Sequence, residues 1–86
     1  MTISEMEKIM AEEELCQSRL TIHDSRIIPW IDETRPPYSI TLNIIAGDCF
    51  EVYCYDACGY KNICRTNLTE NDACELVLDL LRNRGY

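Results

Sequence analysis

YSITLNIIAGDCFEVYCYDACGYKNICRTNL, residues Tyr38–Leu68, is the stretch that decides the fold. Apolar and polar residues alternate through most of it, the period of a strand with one buried face. The alternation predicts strands at Tyr38–Ala46, Phe50–Tyr55 and Lys61–Leu68. Ile40, Leu42 and Ile44 share one face with Phe50, Val52 and Cys54. Thr41, Asn43, Ile45, Glu51, Tyr53 and Tyr55 share the other. A simple two-residue turn at Gly47-Asp48 would set Ile44 opposite Glu51 and mix the faces. A one-residue slip flips every side chain, so a bulge or longer loop is expected around Gly47. The second hairpin turns at Asp56–Tyr60, with Gly59 in the left-handed position that follows a type I turn. Counting outward sets Cys54 opposite Asn62 and Val52 opposite Cys64.

The strands feed a helix expected from Glu70 to Arg84, with Thr69 as N-cap and acids in its first turn. Its apolar stripe is Ala73, Val77, Leu80 and Leu81, widened by Cys74 and Leu78. Arg82 and Arg84 suit the negative end of the helix, and Gly85 suits the residue after it. This helix is expected to form most of the core against Ile40, Leu42, Ile44, Phe50 and Val52.

Upstream the signals weaken. Ser4-Glu5-Met6-Glu7 reads as a capping box that opens a helix running to about Leu20. Its stripe of Met6, Ile9, Met10, Cys16 and Leu20 is interrupted by Glu12-Glu13-Glu14, so loose packing on the sheet surface is expected. Arg26–Ile31 has strand composition, but Pro29 cannot donate to a ladder, which leaves an edge strand or an extended arm. Asp32–Pro37 is a polar, proline-bearing connector. Trp30 is expected to anchor the core. The fold class is therefore α+β: a small antiparallel sheet of three to four strands flanked by an N-terminal and a C-terminal helix, in one 86-residue domain.

Composition narrows the function. The net charge is −7, which disfavours direct contact with nucleic acid or anionic membranes and favours a basic partner. No run of 18 apolar residues occurs, and the N-terminus has neither a basic nor an apolar leader region. A cytoplasmic location is expected. The six cysteines, Cys16, Cys49, Cys54, Cys58, Cys64 and Cys74, are then expected to be reduced, most of them as small buried hydrophobes. Three disulfides would suit a secreted chain instead. A metal site drawing on Cys54, Cys58 and Cys64 lacks the usual Cys-x2-Cys spacing.

Catalytic chemistry has little to stand on. The three glycines serve turns or caps, so no phosphate loop forms, and no HExxH is present. His23-Asp24 is the one His–carboxylate pair, and a catalytic reading would need Cys16 or Cys58 beside it. No catalytic residue, cofactor or metal ligand is assigned. The outer sheet face carries Tyr53 and Tyr55 among Ile45, Ile63, Glu51, Lys61 and Arg65, a mixture typical of interfaces. Covering of that face by the first helix or by the Ile27–Ile31 arm is the structural alternative.

The order helix, three strands, helix resembles the double-stranded-RNA-binding domain in topology. That family opens its last helix with lysines that grip phosphates. Here the same place reads Thr69-Glu70-Asn71-Asp72, so the resemblance implies a similar shape without RNA binding. In size, acidity and lack of motifs the chain is similar in style to phage-encoded inhibitors, including anti-CRISPR proteins. The expected function is a small acidic module that binds a protein with a basic surface. Glu12, Glu13 and Glu14, or Tyr53 and Tyr55, would make the contact. Glu5, Glu7, Glu70, Asp72, Glu75 and Asp79 would extend the charge. Alternatives are a cysteine-based metal- or redox-responsive domain and an immunity-type or structural subunit with one cognate partner. A homodimer remains open.

Overall fold

Thr2, rather than Ser4, opens the first helix in the computed structural model, which describes residues 1–83. The Thr2 hydroxyl accepts from the Glu5 amide, and the Glu5 carboxylate accepts from the Thr2 amide, both at 3.2 Å. This helix, α1 (Ile3–Glu12), stops eight residues short of the expected end. Three successive carboxylates oppose the negative end of a helix dipole. The chain leaves the helix there, with Glu14 in the left-handed region at φ 55°.

The released residues make a short 3-10 turn and then a strand, β1 (Leu20–Asp24). Three more strands follow: β2 (Ile40–Ala46), β3 (Cys49–Tyr55) and β4 (Lys61–Leu68). The helix α2 (Glu70–Arg82) closes the described fold. The expected roles of Arg84 and Gly85 at its end lie outside the described residues.

The class is α+β, but the sheet is mixed rather than antiparallel. Its order is β1-β2-β3-β4, and β1 lies parallel to β2, with Leu20 beside Ile40 and Asp24 beside Ile44. Adjacent parallel strands need a crossover of a dozen or more residues. Residues 25–39 are that crossover. They form no strand of the sheet and instead run as a strap over it, so the edge-strand reading of Arg26–Ile31 is replaced by the arm. The topology therefore departs from the double-stranded-RNA-binding order by one added parallel strand.

Both expected inner faces are paired. Ile44 faces Phe50 and Leu42 faces Val52. The hairpin keeps the short Gly47-Asp48 turn, pairing Ala46 with Cys49, and a bulge between Ile44 and Ala46 restores the faces. In the second hairpin Cys54 does oppose Asn62, but Val52 opposes Arg65 rather than Cys64. Cys64 is the extra residue of a bulge. A further irregularity follows before Phe50 meets Leu68, with Asn67 at φ 55°.

Met6, Met10, Ile40, Leu42, Phe50, Val52, Ala73, Cys74, Val77, Leu78 and Leu81 form one buried core. α1 is thus a core element, contrary to the loose packing expected of it. Leu80 is only half-buried, because the stripe that faces the sheet runs through positions 73, 74, 77, 78 and 81. The two helices run in the same sense. The Ile3 amide donates to the Glu70 carboxylate at 2.9 Å near their starts, and Arg82 grips Glu13 at 2.8 and 2.5 Å near their ends. A carboxylate thus joins the two positive ends and a guanidinium serves the two negative ones.

Candidate functional site

Charge is divided unequally between the layers of this fold. Ile3–Glu14 and α2 together carry nine of the fifteen acidic residues and two of the eight basic ones. The remainder of the sequence holds six of each. The helical layer therefore carries the whole formal net charge of −7.

Several of those carboxylates have structural partners. Glu5 completes the cap of α1, and Glu70 accepts from Ile3. Glu13 is paired with Arg82, whose hydrogen bond holds its carboxyl below the usual glutamate range. Glu12 and Glu14, on either side of it, are exposed and have no side-chain bond among the described residues. The Glu12–Glu14 cluster thus presents two outward carboxylates and one that is internally neutralised. On α2, Asp72, Glu75, Leu76 and Asp79 line a shallow groove with Arg65 and Leu68 of the neighbouring strand β4. Spacings of three and four put these acids on one side of the helix.

Tyr53 and Tyr55 project from the sheet face opposite the helices, as alternation requires, yet neither offers a contact surface. Tyr55 is fully buried, and its hydroxyl donates to the Asp32 main-chain carbonyl at 2.5 Å. Tyr53 is 7% exposed and donates its hydroxyl to Glu51. Burial first, and the Glu51 carboxylate second, push the Tyr53 phenol up to about 12. The strap covers both rings. It is fixed by Ser25 N to Ile44 O, Lys61 N to Glu33 O and Arg35 N to Gly59 O, each 3.0 Å. A Cβ on Gly59 would lie 2.3 Å from the Arg35 carbonyl, so glycine is required both by its φ of +83° and by the approach of the strap.

The two most exposed large apolar side chains belong to the strap, while Tyr60 and Ile63 at the β4 edge also face solvent. Trp30 is 69% exposed and Ile27 is 77% exposed, so Trp30 is not the core anchor expected of it. The one available signal was Pro29 among large apolar residues. Pro29 bars the segment from the interior of a ladder and leaves it an edge or a path across a face, and the chain takes the path across.

His23 and Asp24 do not act as a pair. His23 Nε2 lies 2.8 Å from the Ile28 carbonyl, while the Asp24 carboxylate takes both the side chain and the amide of Arg26. These bonds draw the Asp24 carboxyl below its ordinary range. The expectation of six free thiols also fails: Cys54 and Cys64 form a disulfide, leaving Cys16, Cys49, Cys58 and Cys74. The bulge at Cys64 lets a non-opposed pair meet. Burial pushes the Cys74 thiol up to about 11. The Ser18 hydroxyl draws the exposed Cys16 thiol downward. Among the described residues, no three His, Cys, Asp or Glu side chains are placed to share a metal ion. No described helix is long and apolar enough to cross a membrane.

No protein-family model matches the chain, and no significant match is found to a curated protein or to a solved structure.

Proposed function

We propose that this chain is a protein-binding module whose helical layer occupies a basic surface on another protein, in competition with the phosphates that surface would otherwise hold. The observation that carries the reading is the placement of the whole net charge on one layer. An acidic face of this kind steers a basic partner and speeds encounter by about 10- to 10³-fold, an effect that fades with salt. The contact set is Glu7, Glu12, Glu14, Asp72, Glu75 and Asp79, the carboxylates not committed to a cap or to Arg82. In this role the protein blocks a nucleic-acid groove in the manner of phage-type inhibitors.

The test is association kinetics with a basic partner recovered by pull-down, at two ionic strengths. Reversing Glu12 and Glu14 to Lys, with Glu13 left intact to keep Arg82, is expected to slow association at least several-fold at low salt. The same change at Glu75 and Asp79 is expected to add to it. Unchanged association for both pairs would overturn the reading.

A second reading is a redox-responsive domain, and the Cys54–Cys64 bond favours it. One half of the bond is buried in β3 and the other sits in an exposed bulge of the edge strand β4. Comparing partner affinity for oxidised and reduced protein decides it: equal affinities leave the bond a structural staple.

A further inference from the structure

The layer opposite the helices is electrically quiet. Residues 25–39 hold two acids and two bases. Arg26 pairs with Asp24, Asp32 with Arg35 and Glu33 with Lys61, so every charge of the strap is paired within the chain. Apolar side chains stand out of this layer instead. Ile27, Ile28 and Trp30 are exposed on the strap, and Ile45 is exposed on the sheet.

Pro29, Trp30, Ile31 and Ile45 line one open groove of about 430 Å³ between strap and sheet. Its polar wall is a run of hydrogen bonds. Ser25 Oγ donates to Asn43 at 2.8 Å, and Asn43 and Tyr53 both donate to Glu51 Oε1. The Glu33–Lys61 pair completes the lining. The same face therefore carries a projecting ring, Trp30, and a hollow beside it. A projection and a hollow on one patch are what a two-fold contact between identical chains requires.

Polar atoms match as well. The Trp30 indole N–H has no acceptor among the described residues. Glu51 Oε2 accepts no hydrogen bond there and is not among the polar atoms sealed from solvent. An indole N–H that becomes buried usually finds an acceptor. Charge selects the partner's orientation. Two chains of net charge −7 repel, and that charge lies in the helical layer. Apposing two strap faces keeps both acidic layers on the far sides of the pair, where they repel least.

We propose that the strap face is a self-association surface on which a second copy of this chain docks about a two-fold axis. Trp30 of each copy sits in the groove of the other, and its indole N–H donates to Glu51 Oε2 there. The contact lies opposite the helical layer and does not depend on the proposed contact with a basic protein. Its salt response is the reverse of that contact. Screening relieves the repulsion between two acidic chains, so self-association strengthens with salt, whereas binding of a basic partner weakens.

Sedimentation equilibrium from about 1 µM to about 1 mM, at low and at high salt, tests the proposal. The mass is expected to rise from monomer toward dimer with concentration, and to do so at lower concentration in high salt. Trp30 is the chain's one tryptophan, so its emission should shift to the blue in step. Trp30→Ala and, separately, Ile45→Lys should each weaken self-association about ten-fold or more. Both positions are exposed, so the circular dichroism and urea midpoint of each variant should stay near the parent's. Trp30→Phe keeps a ring and loses the N–H, and should fall between the parent and Trp30→Ala. Glu75→Ala, in the far layer, should leave self-association nearly unchanged. A protein that stays monomeric at about 1 mM overturns the proposal and leaves the face to a different protein. A dimer that weakens with salt, or that Trp30→Ala and Ile45→Lys both form as the parent does, is built on another surface and equally overturns it.

Discussion

The Glu70 carboxylate accepts the main-chain N–H of Ile3 at 2.9 Å, so a residue in the first turn of α2 caps the first turn of α1. The two helices point the same way, and their positive ends would otherwise repel across this contact. Glu70→Ala should lower stability by about 0.5–2 kcal/mol, the range for losing an N-terminal cap. Glu75→Ala, on the exposed side of α2, should change it by less than about 0.5 kcal/mol. Urea melts of the two variants decide, and equal midpoints would mean that the helix–helix cap contributes nothing.

Gly59 and Gly47 make a matched pair of tests. Gly59 has φ +83° and sits against the Arg35 carbonyl, whereas a Cβ on Gly47 would meet nothing within 4 Å. Gly59→Ala should therefore destabilise by more than about 1 kcal/mol and loosen the strap at Arg35. Gly47→Ala should stay within about 1 kcal/mol of the parent. Thermal melts combined with amide exchange of residues 33–35 read both effects.

The Glu13–Arg82 pair gives a pH-dependent signature. Arg82 holds the Glu13 carboxyl below its ordinary range, so the folded pKa lies under the unfolded one. Its contribution to stability is then present above the ordinary glutamate pKa and is lost as pH falls through the depressed folded value. Carboxyl chemical shifts of Glu13 followed against pH should show a low midpoint in the parent. In Arg82→Gln the midpoint should move up toward the ordinary value. An unmoved midpoint would show that the guanidinium is not its cause.

Thiol titration in denaturant without reductant should find four free cysteines, with two more appearing after reduction. The bond spans ten residues, a short loop whose closure stabilises by about 2–3 kcal/mol in the chain-entropy treatment. Cys54→Ala with Cys64→Ala should lower the urea midpoint accordingly. Six free thiols at the outset would mean the two sulfurs are not joined.

The acidic layer has its own consequence in the salt dependence of binding. Replacing Glu12 and Glu14 by Lys should leave the urea midpoint nearly unchanged, because both are exposed and neither bonds another described side chain. Association with a basic partner should slow at low salt and converge with the parent at high salt, where screening removes the difference.

Features carried by local chemistry were legible in the residues alone. Alternation assigned Ile40, Leu42, Phe50 and Val52 to one face, and a hydroxyl at Thr69 started α2, whose side chain accepts from the Asp72 amide at 3.2 Å. Gly59 marked its turn because only glycine adopts that backbone freely. The surplus of acids on the helices was likewise countable from residues alone. The remainder depends on contacts between distant segments. A five-residue strand such as Leu20–Asp24 carries too few alternating positions to announce itself, and it exists because β2 offers an unpaired edge. Its parallel sense forces residues 25–39 across the sheet, which buries Tyr53 and Tyr55 and exposes Trp30. One bulge at Cys64 shifts the register and brings its sulfur to Cys54. Pairings between distant segments depend on what each segment finds beside it, and no local pattern encodes that neighbour.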